Sequence, residues 1–142
     1  MTFIKLNPFV KLIRPHQWFK NIFVLGPLFF SINIFDYEML KNSSLALLCF
    51  ILASSLTYIL NDLHDAKEDK SHPLKKKRPI ASGLISNKSA IIFSIVIFIM
   101  LYTILIKHLN NSCFLIITLY LILQVFYSLK LKYLIILDVI II

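Results

Sequence analysis

Residues 61–69 read NDLHDAKED and set three aspartates, Asp62, Asp65 and Asp69, at spacings of three and four. On a helix of ~3.6 residues per turn that spacing places the carboxylates on one face, and Asn61, four residues before Asp65, joins them. Carboxylates so crowded repel one another unless a cation neutralises them. All-oxygen side chains select a hard ion, Mg²⁺, Mn²⁺ or Ca²⁺. Magnesium suits the set well, because it takes one or two carboxylates, keeps waters and bridges to a substrate's phosphate oxygens. A calcium loop fits poorly, since its glycine and its acids at alternate positions are missing. The competing reading is a solvated helix end, with Lys67, Glu68 and Lys70 as ordinary surface charges.

Cations gather around the acids. Lys75, Lys76, Lys77 and Arg78 run into PIASG at 79–83. Arg78 is suited to bidentate contact with phosphate oxygens, whereas the three lysines read more simply as a topology signal and lipid-headgroup contact. At 14–21, RPHQWFKN combines Arg14, Lys20, an indole and the Asn21 amide at the start of an apolar stretch. It is either an interfacial anchor built on Trp18 or a phosphate-binding edge formed by Arg14, Lys20 and Asn21. At 127–138, YSLKLKYLIILD supplies Tyr127, Lys130 and Lys132 and then sets Asp138 inside an apolar run. A carboxylate within a span is a functional candidate by default; six residues past Lys132, it can also lie near the interface. His64 and His72 have no second ligand at a metal-binding spacing, and Cys49 and Cys113 sit in apolar runs as small buried hydrophobes.

The elements that position these groups are membrane helices. Of 142 residues, 58% are hydrophobic and only two are glycine, which favours apolar spans over a soluble core. The net charge of +8 accompanies too much aliphatic surface for a nucleic-acid binder. Apolar segments at 21–35, 43–60, 89–106 and 112–129 give four spans, with a kink expected at Gly26-Pro27, and a fifth run starts at Tyr133 and stops with the chain. The N-terminus mixes basic and apolar residues without a small-residue cleavage site and reads as an amphipathic surface segment. With that end cytoplasmic, 13 of the 15 lysines and arginines fall inside, leaving Lys41 and Lys107 outside. The acidic motif, the basic run and YSLKLK then share the cytoplasmic face of the cell inner membrane, where they can line one pocket. The expected fold is all-α, a single polytopic transmembrane bundle over residues 1–142, and its uncapped apolar ending points to a piece of a longer fold.

Taken together, N-D-x-x-D-x-x-x-D at 61–69, RPIASG at 78–83 and a tyrosine-lysine motif after the fourth span resemble the UbiA superfamily of intramembrane prenyltransferases. LIRPHQWFKNIFVLGPLFF and YSLKLK are most similar to its decaprenyl-phosphate phosphoribosyltransferase branch. The resemblance implies Mg²⁺-dependent transfer of a phosphoribosyl group from phosphoribosyl pyrophosphate to a polyprenyl phosphate. It implies that Asp62, Asp65 and Asp69 hold the metal, that Asn61 orients them, that Arg78, Lys130 and Lys132 neutralise phosphate, and that Tyr127 positions the donor. It also implies a larger bundle with a second acidic motif in its later half. This chain therefore reads as the N-terminal half, incomplete or inactive alone, with a second chain as one source of the missing helices. The alternatives are a prenyltransferase acting on an aromatic acceptor, against which YSLKLK speaks, and a non-catalytic membrane protein or subunit.

Overall fold

The computed structural model describes residues 7–31 and 34–129. Helices make up most of these residues, and no strand is found among them. A short α1 (Pro8–Leu12) opens the chain, capped by Asn7, whose side chain accepts the Phe9 N–H at 3.0 Å. A 3₁₀ segment follows over Pro15–Leu25 and passes into α2 (Gly26–Phe30). Next comes α3 (Tyr37–His64), whose 28 residues extend about 42 Å at ~1.5 Å per residue. Asp36 starts it by accepting the Met39 N–H at 2.9 Å. The loop that follows contains α4 (Ala66–Ser71) and a 3₁₀ turn at Lys75–Lys77. The long helices α5 (Asn87–His108) and α6 (Asn111–Leu129) complete the described chain.

Among the described residues three helices are long and apolar enough to cross a membrane: Tyr37–His64, Asn87–His108 and Asn111–Ser128. The latter two bear broad exposed apolar faces, including Ile92, Ile95 and Ile99 on α5 and Leu115, Ile122 and Phe126 on α6. Water would leave so much contiguous apolar surface aggregation-prone, whereas lipid solvates it. The chain is an integral membrane protein.

The segment at 21–35 departs from the expected continuous span. Pro15 and Pro27 each lack an N–H and restrict the backbone, and Pro15–Leu25 adopts the tighter 3₁₀ winding before Gly26 turns it into α2. The 3₁₀ form rises ~2.0 Å per residue, so the segment is stretched rather than short. It runs antiparallel along α3. Arg14 meets Asp62, Trp18 meets Ser55, and Asn21 meets Ser54. At the opposite end of α3, Val24 and Pro27 line a cavity with Asn42 and Ser43. The winding changes at Gly26, beside the Pro27 where a kink was expected. The fifth apolar run lies outside the described residues.

Helix α3 is the centre of the bundle, with the 3₁₀ segment, α5 and α6 packed around it. Its buried residues Cys49, Ala53, Leu56 and Ile59 recur at three- and four-residue intervals and face Ala90, Ile97, Leu101 and Leu105 of α5. Small side chains at Ala53, Ser54, Ser55, Ala90 and Ser94 let the helix backbones approach. The serine hydroxyls are satisfied locally, Ser54 donating to the Ile51 carbonyl and Ser94 to that of Ile91. Between α5 and α6, Tyr102 and Thr118 hydroxyls lie 3.2 Å apart.

Candidate functional site

The acidic motif straddles a helix break. α3 ends at His64, Asp65 stands at the junction with φ −84° and ψ 0°, and α4 begins at Ala66. The backbone stays nearly helical across it, since the Asp65 N–H donates to the Asn61 carbonyl and the Asp69 N–H to that of Asp65, both at 2.9 Å. The spacing therefore keeps its consequence: Asp62, Asp65 and Asp69 are all buried. The expectation of a solvated helix end fails at this point. Lys67, Glu68 and Lys70 between them are exposed, as ordinary surface charges are.

Arginines drawn from far along the chain neutralise the buried acids. Arg14 donates from Nη2 to Asp62 Oδ1 at 2.5 Å. Arg78 Nη1 lies 2.7 Å from Asp69 Oδ2 and 3.2 Å from Asp62 Oδ1, so a single nitrogen bridges two carboxylates. The aspartate side chains are 1% and 3% exposed, the arginines 18% and 21%. The guanidinium groups are thus the more exposed members of each pair.

Local sequence fixes each arginine. Arg14 has φ 50°, a left-handed conformation that costs a non-glycine residue roughly 1 kcal/mol. It joins α1 to the 3₁₀ segment, and its guanidinium rests 4.9 Å from the centre of the Tyr58 ring, one turn before Asp62 on the same face of α3. Trp18 anchors the neighbouring backbone, its Nε1 donating to the Ile13 carbonyl at 3.1 Å and to Ser55 Oγ at 3.2 Å. The half-buried indole thus ties the 3₁₀ segment to α3. Arg78 opens RPIASG. Pro79, Ile80 and Ala81 are buried, and Gly83, at φ 78°, makes the left-handed turn that lets the Ile85 N–H return to the Pro79 carbonyl at 3.0 Å. This plug holds the arginine's backbone against the bundle.

Asn61 accepts a hydrogen bond from Ser128 Oγ at 3.0 Å, which ties the acidic motif to the end of α6. Tyr127 is half-buried beside Ser128. Lys20 is exposed on the 3₁₀ segment, and Lys75, Lys76 and Lys77 are exposed as well. Lys130, Lys132 and Asp138 lie outside the described residues. Sequence reasoning did not find Tyr58, Ser54, Ser55 or Ser128. Tyr58 carried a usable signal, four residues before Asp62, and paired serines in an apolar span carried another.

Next to the Asn61–Ser128 contact, a cleft of about 230 Å³ opens between α3 and α6, lined by Thr57, Leu60, His64, Gln124, Val125 and Ser128. An apolar groove of about 300 Å³ shares Leu60 and Val125 with it and continues along α5 and α6. A larger cavity, about 440 Å³, lies at the other end of α3 beside Asn42 and His108, away from the acids.

Among the described residues no three His, Cys, Asp or Glu side chains form a ready-made metal cage. Asp62 and Asp69 nevertheless converge on one cationic nitrogen. Two carboxylates completed by substrate oxygens are a common magnesium set, so these residues fit an ion that arrives with a phosphate.

Comparison with known proteins places this arrangement. Decaprenyl-phosphate phosphoribosyltransferase of Mycobacterium tuberculosis is 42% identical over 80 residues, 54% of this chain and 26% of that protein. The uncharacterized protein y4nM of Sinorhizobium fredii is 35% identical over 128 residues, 89% of this chain and 24% of that protein. The UbiA prenyltransferase claS of Ampulloclitocybe clavipes is 31% identical over 96 residues, 63% of this chain and 31% of that protein. The matched stretches thus span about a quarter to a third of these relatives. The pattern of the UbiA prenyltransferase family matches residues 22–142, which include the acidic motif, Arg78 and all three long helices, and the chain belongs to that family.

Proposed function

We propose that this chain forms the diphosphate-binding part of a membrane transferase that moves a phosphoribosyl group from phosphoribosyl pyrophosphate to a polyprenyl phosphate. The observation that carries the reading is the buried Asp62–Arg78–Asp69 bridge, flanked by Arg14, at the end of an apolar helix bundle. Such a place joins a water-soluble, multiply charged donor to a lipid acceptor. Similarity to decaprenyl-phosphate phosphoribosyltransferases over about half of the chain supports that donor and acceptor in particular.

The residues divide the work by charge. In the transfer, the bond from the sugar's anomeric carbon to the pyrophosphate oxygen breaks, and an acceptor phosphate oxygen bonds to that carbon. Pyrophosphate leaves with the electron pair. Arg14 and Arg78 neutralise the charge that grows on it, through planar, bidentate-capable guanidinium groups. Asp62 and Asp69 would hold a magnesium ion, with Asp65 adjacent, and bound magnesium supplies further positive charge at the leaving group. Asn61, held by Ser128, orients the motif. Lys20, Tyr127, Lys130, Lys132 and Asp138 complete the proposed substrate contacts. The acidic motif faces the cytoplasm of a cell inner membrane, with the N-terminus on the same side.

The direct test offers membranes containing the protein two pairs of substrates, with Mg²⁺ present. One is labelled phosphoribosyl pyrophosphate with polyprenyl phosphate, and the other is a prenyl diphosphate with an aromatic acid. Label in a lipid phosphoribose product, lost in Asp62→Asn, supports the reading. Label only in a prenylated aromatic product replaces it.

A further inference from the structure

We propose that Arg14 and Arg78 form a counter-ion lock, which makes the divalent ion and the diphosphate bind only together. This rests on the reading of the site as a diphosphate centre and adds its binding order.

The geometry supplies the reason. Arg78 Nη1 occupies the point where oxygens of Asp62 and Asp69 converge, at 3.2 Å and 2.7 Å. That is where a two-carboxylate metal would sit. Arg14 holds the same Asp62 oxygen. Two guanidinium charges thus balance Asp62 and Asp69 in a nearly dry setting. A divalent ion arriving alone must expel a guanidinium that has no new partner, and it adds two positive charges to a balanced, buried group. A diphosphate arriving alone meets carboxylates directly beneath the arginines. Arriving together, they exchange partners: the ion takes the carboxylates, and the arginines take the phosphate oxygens.

The arginines are placed for that exchange. They are the more exposed members of the network, so an incoming anion reaches them first. Arg14 keeps its contact with the Tyr58 ring when Asp62 is taken, which leaves the guanidinium facing the site. Arg78 hangs from a plug of buried residues at 79–81, so only its side chain has to swing.

The experiment uses the whole chain in lipid nanodiscs. Retained Mn²⁺ is measured after equilibrium filtration, with and without inorganic pyrophosphate. Wild type should hold Mn²⁺ at least about tenfold more tightly with pyrophosphate than without it. R78Q should bind Mn²⁺ alone about fivefold or more tightly than wild type and lose most of the enhancement. R78K, which keeps the cation, should restore the wild-type pattern. The gain in R78Q is opposite in sign to damage from misfolding, and R14Q should gain in the same direction. Equal Mn²⁺ retention by wild type with and without pyrophosphate overturns the lock while leaving a metal site. Absence of gain in both R78Q and R14Q overturns it too. No retention by any form, with pyrophosphate present, overturns the diphosphate reading itself.

Discussion

Replacing Arg78 by leucine should destabilise the protein far more than replacing Asp69 by asparagine, although the two residues are partners. The asymmetry follows from their burial. Arg78 serves Asp69 at 2.7 Å and Asp62 at 3.2 Å, and these carboxylates are 3% and 1% exposed. Without Arg78, Asp69 loses the cation bonded to it in a place that water scarcely reaches. Removing one member of a buried pair costs about 3–5 kcal/mol. Asp62 keeps Arg14, so the lower end, about 3 kcal/mol, applies. Asp69→Asn instead removes the charge and retains an oxygen that accepts from Arg78, and Arg78 is 21% exposed and can hydrate. About 1 kcal/mol is expected there, the net worth of a weakened hydrogen bond. In the Arg78→Leu background, Asp69→Asn should then recover stability. Reversible unfolding in mixed micelles, followed by fluorescence of Trp18, measures all three variants, because Trp18 is the single tryptophan and is bonded to Ile13 and Ser55. Equal losses for the two single variants, or a double variant whose losses simply add, would refute the reasoning.

Other outcomes follow from the same geometry. Trp18→Phe removes a donor shared by the Ile13 carbonyl and Ser55, and should cost about 1–2 kcal/mol in reversible unfolding followed by far-ultraviolet circular dichroism, since the variant has no tryptophan. Gly83→Ala meets open space but keeps φ 78°, so about 1 kcal/mol of backbone strain should appear with no packing defect. Ser128→Ala should cost about 1 kcal/mol and raise hydrogen exchange at the end of α6, since it frees Asn61 from that helix. Maleimide labelling of spheroplasts should reach Lys107→Cys from outside and Lys76→Cys only after permeabilisation; the reverse pattern contradicts the proposed orientation.

The long apolar helices were legible because membrane insertion depends on summed hydrophobicity, which survives uncertainty about any one residue. Segments 43–60, 89–106 and 112–129 all lie within helices of the structure. The burial of Asp62, Asp65 and Asp69 on one side was legible too, because near-helical hydrogen bonds at Asp65 and Asp69 carry the periodicity across the break. The helix end at His64 was not, since neither proline nor glycine marks it. The 3₁₀ winding at 15–25 escaped for a related reason: two prolines announce a disturbance but do not specify which winding answers it. The pairing of Arg14 with Asp62, 48 residues apart, is tertiary. Local spacing encodes faces of helices, whereas this contact depends on the 3₁₀ segment lying antiparallel against α3. The sequence did nominate both arginines as phosphate ligands. It left unseen that carboxylates already hold them.

The central claim is that the Asp62–Arg78–Asp69 bridge is where a diphosphate binds with a divalent ion. The most direct measurement is equilibrium binding of labelled phosphoribosyl pyrophosphate to the protein in nanodiscs, with Mg²⁺ and then with EDTA, for wild type and Asp69→Asn. The account predicts binding that needs Mg²⁺ and weakens at least about tenfold in the variant, the loss of a charged partner at one site. Binding of equal strength in EDTA, or in Asp69→Asn, would contradict it.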